Sequence, residues 1–291
     1  EINNNGELVN EATFGGSQDD EPMQIINSSN GYTIIAETSS NDGDVSFNYS
    51  SETDIWVLEI NNNLELLNEK TFGTANHDYA TSILEVEPGQ FIINGNHSEV
   101  SPNWVAKVSW PDGDVLWEND FGNRDRNVGT LKQHNDFIYL VTNSYNGVNP
   151  AQWGYIAKIS QAGVVVDDFY FGGENVNSGP LFTDLCFDSN GDIYIAGEIT
   201  SPGGSITAPT FSLSSYLQSD VLVLKTDGNF NEIWQKSFGG TGRDNLYLYG
   251  SPHLILDTNN NPIFLTSTNS LDKNVKSYID NYKMWLVKVK N

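Results

Sequence analysis

The sequence predicts an all-β chain folded as a five-bladed β-propeller of four-stranded antiparallel blades, and three observations predict it. A Phe-Gly pair recurs at Phe14, Phe72, Phe121, Phe171 and Phe238, at intervals of 58, 49, 50 and 67 residues. Within each interval, short segments rich in β-branched and aromatic residues alternate apolar with polar positions, the period of a strand and not of a helix. The opening EINNNGELVNEATFGG also matches EINNNLELLNEKTFGT, which begins at Glu59, at 12 of 16 positions without a gap. Four strands repeated every 40 to 60 residues or so is the pattern of blades that bury both faces against their neighbours.

The elements follow one another in a fixed order. Six residues after each Phe comes a small polar side chain: Asp20, Asp78, Asn127, Asn177 or Asp244. Recurrence in every copy points to a structural role, an Asx side chain capping the turn that feeds the first strand. A tight turn of Gly, Asn and Asp then leads to the second strand, read in GYTIIAET, GQFIINGN, DFIYLVTN, GDIYIAGE and NPIFLTST. The third strand is DIWVLEI, NWVAKVS, WGYIAKIS, DVLVLKT and MWLVKVK, and the fourth is LELLNEKTF, DVLWENDF, VVVDDFYF and NEIWQKSF. The fifth copy ends after its third strand, whereas GELVNEATF at residues 6–14 is a fourth strand without the preceding three. Joining the chain ends completes the last blade, so the expectation is one propeller domain over residues 1–291, closed by its amino-terminal strand.

Composition limits the partners. With 38 acidic and 14 basic residues the formal net charge is −24, which repels nucleic acid and anionic membrane, since phosphate binding needs clustered Lys and Arg. The lone Cys186 excludes an internal disulfide and lies in the apolar alternation LCFD, as a buried strand residue would. No apolar run reaches the roughly 20 residues of a membrane span, and no leader opens the sequence, so it reads as a processed, exported segment. Enzyme signatures such as a phosphate loop, HExxH or GxSxG are missing. The four histidines, His77, His97, His134 and His253, fall at unrelated points of the repeat.

The run TSSNDGDVSFNYSSETDIWVLEINNN with the Phe-Gly motif after it resembles the SBBP-type β-propeller repeats of Bacteroidetes secreted and surface proteins. The likeness is densest in the first copy and thins to the Phe-Gly pair, the polar residue six positions on and the third strand in the others. It implies a propeller exported to the cell surface or medium, often as a module of a larger chain. It implies no activity, because the repeat specifies architecture.

Function is therefore sought where the repeat varies. The turns between strands one and two and between three and four are uniformly short, while the second-to-third connections, near 40–53, 97–103, 144–152, 200–219 and 269–283, carry the length variation. Variable loops on a rigid scaffold are where binding is usually placed. Their aromatic candidates are Tyr49, Tyr145, Tyr216, Tyr278 and Tyr282, rings able to stack on a sugar or anchor a protein; Trp104 and Trp153 align with Trp56 and Trp285 as core. Asp42 and Asp44 offer hard oxygens at alternating positions for Ca²⁺, the one metal the sequence leaves open; no cofactor is required. The leading expectation is a non-catalytic extracellular or cell-surface module that binds a protein or glycan through the variable-loop face. A carbohydrate-active enzyme using Asp20 and Asp78 at the mouth of a central channel, and a structural spacer within a larger surface protein, are the alternatives.

Overall fold

The structure, a computed structural model, describes residues 2–50, 52–97, 103–121, 129–145, 152–172, 180–211, 219–245, 254–276 and 283–290. Among the described residues every regular element is a strand, in five antiparallel sheets, and no helix is long and apolar enough to cross a membrane. The chain divides into two compact units, Glu1–Phe121 and Gly122–Asn291.

The first unit holds two sheets. One runs β1 (Asp20–Ser28), β2 (Gly31–Thr38), β3 (Asp54–Ile60), β4 (Leu66–Phe72); the other runs β5 (Tyr79–Glu87), β6 (Gln90–Asn96), β7 (Asn103–Ser109), β8 (Val115–Phe121). All seven residues of β3 are buried, whereas only Phe121 is buried on β8, because inner strands are covered on both faces and outer ones face water. Ile35, Ile55 and Val57 of the first sheet share a core with Ile83, Phe91 and Ile93 of the second. Each such side chain removed from water contributes roughly 1.5–3 kcal/mol. Polar links cross the same seam: Glu37 Oε1 accepts the Ala80 N–H at 3.0 Å and Gln24 Oε1 accepts that of Ile83 at 2.8 Å. Glu59 is buried there, and the side-chain N–H groups of Asn30, Asn68 and Trp110, at 2.9–3.0 Å, satisfy its carboxylate.

The second unit holds three sheets. They are β9 (Thr130–His134) to β12 (Val165–Gly172) by way of β10 (Phe137–Tyr145) and β11 (Gln152–Ser160), and β13 (Leu181–Phe187), β14 (Ile193–Ile199), β15 (Asp220–Thr226), β16 (Glu232–Phe238). The last comprises β17 (Asp244–Asn245), β18 (Leu254–Leu256), β19 (Pro262–Thr268) and β20 (Lys283–Lys288). Val141, Ile156 and Phe171 pack with Phe182, Leu185 and Ile195, and Tyr194, Val221 and Val223 pack with Leu254, Phe264 and Val289. Asn143 Oδ1 accepts the Phe182 N–H at 2.8 Å, the counterpart of the Glu37 link in the first unit. Buried Asp184 receives Lys132 Nζ and the Leu254 N–H, each at 3.0 Å, and so ties three sheets together.

The repeat is written into the register. The first-to-second strand pairing slips at Pro22/Gln24, Ala80/Ser82 and Phe182/Asp184, and the third-to-fourth pairing slips at Glu59/Ile60, Lys107/Val108, Lys158/Ile159 and Lys225/Thr226. Bulges at matching positions, in three sheets at the first pairing and in four at the third, impose a similar added twist on those sheets.

Two expectations change. In the last sheet, β17 and β18 are segments along one edge of β19, and β20 takes the other edge, so three strand positions are filled. No described residue pairs with the far edge of β20, whose Met284 and Leu286 are exposed. The strand expected over 6–14 is also absent: Ile2 and Leu8 form an isolated bridge, and residues 9–16 lie in no strand. What residues 2–8 reproduce is the turn of residues 60–66. Asn3 Oδ1 accepts the N–H groups of Asn5 and Glu7 at 2.9 and 3.0 Å, as Asn61 Oδ1 accepts those of Asn63 and Glu65 at 2.8 and 3.0 Å. Ile2 meets Leu8 as Ile60 meets Leu66. The reason is range: an Asx turn closes on its own residues, whereas a strand requires the ladder of a neighbour.

Candidate binding loop on the first sheet

The connection from β2 to β3, residues 39–53, is built from its polar side chains. Asp42 Oδ1 accepts the Ser17 N–H at 2.7 Å and Asp44 Oδ2 accepts that of Gly15 at 3.0 Å, while the Asp44 N–H returns to the Gly15 carbonyl. Gly43, between them, has φ +66°, and a Cβ there would come within 2.4 Å of that carbonyl. The DGDV turn thus clasps the Phe-Gly loop, and Val45 is its buried anchor. In the last sheet Asp272 Oδ1 and Asn274 Oδ1 hold Thr241 and Gly239 N–H in the same way, at 2.8 and 3.2 Å.

Beyond Val45 the chain turns its aromatic residues outward. Phe47 and Tyr49 are 52% and 50% exposed, with ring centroids 4.9 Å apart and planes at 82°. Asn48, buried between them, donates through Nδ2 to the carbonyls of Thr38, Ser40 and Glu52 at 3.2–3.4 Å, and its Oδ1 accepts the Ser50 N–H. The Tyr49 N–H donates to Asp54 Oδ2 at 2.5 Å. Half-exposed rings on a backbone fixed at both neighbours form a platform rather than a core residue displaced. The loop is rich in acids: Asp42, Asp44 and Glu52 lie within it, and Glu69 of β4 is bonded to Ser46 Oγ and, at 2.9 Å, to Trp56 Nε1.

The other expected residues divide by position. Asp20, Asp78 and Asp244 each turn Oδ2 back to the N–H four residues before, of Gly16, Thr74 and Gly240, at 2.6–2.8 Å. Their Oδ1 atoms meet Thr38 Oγ1, His97 Nδ1 and Thr268 Oγ1 respectively, so His97 stands where two other sheets have threonine. Asn127, Asn177, Tyr216, Tyr278 and Tyr282 lie outside the described residues, and of Tyr145 only the backbone, at the end of β10, is described. Of the five tyrosines, Tyr49 alone is described with its side chain. Among the described residues no group of three or more His, Cys, Asp or Glu side chains is placed to hold a metal. Asp42 and Asp44 spend one oxygen each on backbone N–H groups. Trp104 is core, and its Nε1 bonds Glu118 as Trp56 bonds Glu69. Burial pushes the Cys186 thiol up to about 12, which leaves it protonated and inert at neutral pH.

Sequence reasoning passed over Phe47 and Asp54, and took Asn48 only as an oxygen near a calcium site, whereas it bonds backbone groups of its own loop. The available signal was Phe-Asn-Tyr, apolar residues two apart inside an otherwise polar loop, followed by an Asp that opens the third strand here and again at Asp220.

An apolar cavity of about 290 Å³ opens on the same sheet, lined by Ala12, Phe14, Ile34, Ala36, Trp56 and Leu58 among others. It lies on the face away from the second sheet, where Trp56, Leu58 and Ile60 form their own cluster.

No protein-family model matches the sequence, and no curated protein matches it. Solved structures do. A protein of unknown function from Bacteroides caccae is 12% identical, with a TM-score of 0.40, 76% of this chain and 66% of that one being covered, so this chain spans just under two thirds of its length. An endo-arabinase from Bacteroides thetaiotaomicron is 10% identical, with a TM-score of 0.43 over 96% of this chain and 99% of that one. An endo-1,4-beta-xylanase from the same species is 11% identical, with a TM-score of 0.42 over 96% and 98%. The β architecture of this chain accordingly rests on its own strand pairing, and the comparisons go no further than a similarity to β-rich proteins of Bacteroides.

Proposed function

We propose that this protein is an exported, non-catalytic glycan-binding module that takes neutral sugars on the Phe47–Tyr49 platform. The observation that carries this reading is the pair of half-exposed rings held by the buried Asn48 and by Asp54. A ring face stacks on the C–H face of a sugar, and the carboxylates of its loop accept sugar hydroxyl hydrogens. The same carboxylates, on a chain of net charge −24, repel acidic polysaccharide.

The glycosidase alternative would use Asp20 and Asp78. Asp78 is fully buried, and its oxygens are occupied by Thr74 and His97, which speaks against access to a substrate. Affinity electrophoresis of the whole chain through a panel of neutral and acidic polysaccharides tests the proposal. Retardation by a neutral glycan is expected, with Phe47→Ala and Tyr49→Ala each weakening it about tenfold, the loss of roughly 1–2 kcal/mol of stacking and burial. No retardation across the panel, or an unaffected double variant, overturns it; release of reducing sugar would favour the enzyme.

A further inference from the structure

The carboxyl that holds the platform is in an unusual position. Asp54 is fully buried at the start of β3, and while Oδ2 accepts the Tyr49 N–H, its Oδ1 is buried with no hydrogen-bond partner among the described residues. The carboxyl of Asp78, itself fully buried, lies on the other side of Gly73. A Cβ placed on Gly73 would lie 2.4 Å from Asp54 Oδ1 and 2.9 Å from Asp78 Oδ2, so the two oxygens flank a single point with only a glycine between them. Two ionised carboxylates in one buried site carry a penalty, and a proton on Asp54 removes it. The charge on Asp78, together with burial as the larger cause, raises the Asp54 carboxyl to about 6, while the bond from Tyr49 opposes the rise.

We propose that Asp54 is a proton-dependent latch for the loop that carries Phe47 and Tyr49. With a proton on Asp54, its carboxyl stays inside and grips the Tyr49 N–H. When the proton leaves, two buried like charges face each other, the Asp54 side chain swings toward water, and the Tyr49 end of the loop is released. Glu37, on the neighbouring strand β2, is itself raised by burial to about 7, above the value of the latch. Asp78 Oδ1 is 2.6 Å from His97 Nδ1, His77 is engaged with Glu52 at 2.7 Å, Asp20 is bonded to Thr38, and Glu37 is bonded to the Ala80 N–H. The sign follows from the raised value: the contribution is complete below the unfolded carboxyl range, near 4, and is lost as pH rises through about 6. Regulation of glycan binding by this latch rests on the reading of Phe47 and Tyr49 as the binding surface; the latch does not.

The test is an NMR titration of the whole chain between pH 4 and 8 that follows the Tyr49 amide. Its shift is expected to titrate with a midpoint near 6, and Asp54→Asn, which keeps an acceptor for Tyr49 but cannot ionise, is expected to abolish that titration. A Tyr49 amide that does not titrate, or that titrates unchanged in Asp54→Asn, overturns the latch. Should that variant not fold, Asp78→Asn decides, since removing the facing charge lowers the midpoint; an unmoved midpoint overturns it equally. Glycan affinity that ignores pH while the Tyr49 amide titrates would sink the binding surface and leave the latch standing.

Discussion

At the scale of single residues, the buried carboxylates decide most of the consequences. Gly73 is required by space rather than by backbone angle, because any Cβ meets both Asp54 and Asp78. Gly73→Ala should therefore destabilise the first unit by about 1–3 kcal/mol, the usual cost of overpacking, read as a lower urea midpoint with an unchanged slope. Glu59→Ala should cost about 2–4 kcal/mol in the same measurement, because Asn30, Asn68 and Trp110 would each keep a donor with no acceptor. A loss below 0.5 kcal/mol in either variant would contradict these contacts. None of this was legible beforehand. Asp54 and Glu59 read in the sequence as polar punctuation of an apolar strand, since alternation records which face a residue takes and not what waits there.

At the scale of elements, the second, third and fourth strands were legible nearly to the residue, because β-branched alternation bounded by Asn, Asp and Gly is a local signal. The second-to-third connections were legible only in length. Their conformation depends on partners far along the chain, as when Asp42 reaches Ser17 and Asp272 reaches Thr241. The two copies of that clasp make a prediction. Lys273 takes φ +59° where the first sheet has Gly43 at +66°. Lys273→Gly should stabilise the second unit by about 0.5–1 kcal/mol, by relieving a left-handed conformation that side chains disfavour, visible as a rise in melting temperature. Destabilisation would mean that the lysine side chain contributes more than its backbone costs.

At the scale of the whole molecule, the five-sheet plan was legible from the repeat, while the state of its ends was not. The 12 matching residues encode a turn that folds alone and a strand that does not, and identity counts both alike. If β20 finds its missing neighbour in residues 6–14, deletion of residues 1–13 should abolish cooperative thermal unfolding; a truncated chain that melts as sharply as the full one refutes that closure. Protonation acts in both units. Burial raises Glu37 to about 7 and Asp54 to about 6, and raises Glu198 and Asp244 as well, so each stabilises the fold below its unfolded value and loses that contribution as pH rises. Asp227 and Asp257 are lowered and act oppositely, but only in stronger acid. The melting temperature should accordingly be several degrees higher at pH 5 than at pH 8, with added salt narrowing the gap as it screens the −24 charge. A flat profile between those values would contradict the burial of these acids.

The loop on the first sheet carries a practical consequence for engineering. Its order comes from Asn48 binding three carbonyls, one at the end of β2 and two within the loop, and from an Asp at the head of the third strand. Sheet four offers the same fixture, for Asp220 Oδ2 accepts the Phe211 N–H at 2.6 Å as Asp54 accepts that of Tyr49. The segment from Ser40 to Thr53 is thus a cassette, and grafting it between Ile199 and Asp220 would turn one chain into a bivalent display scaffold.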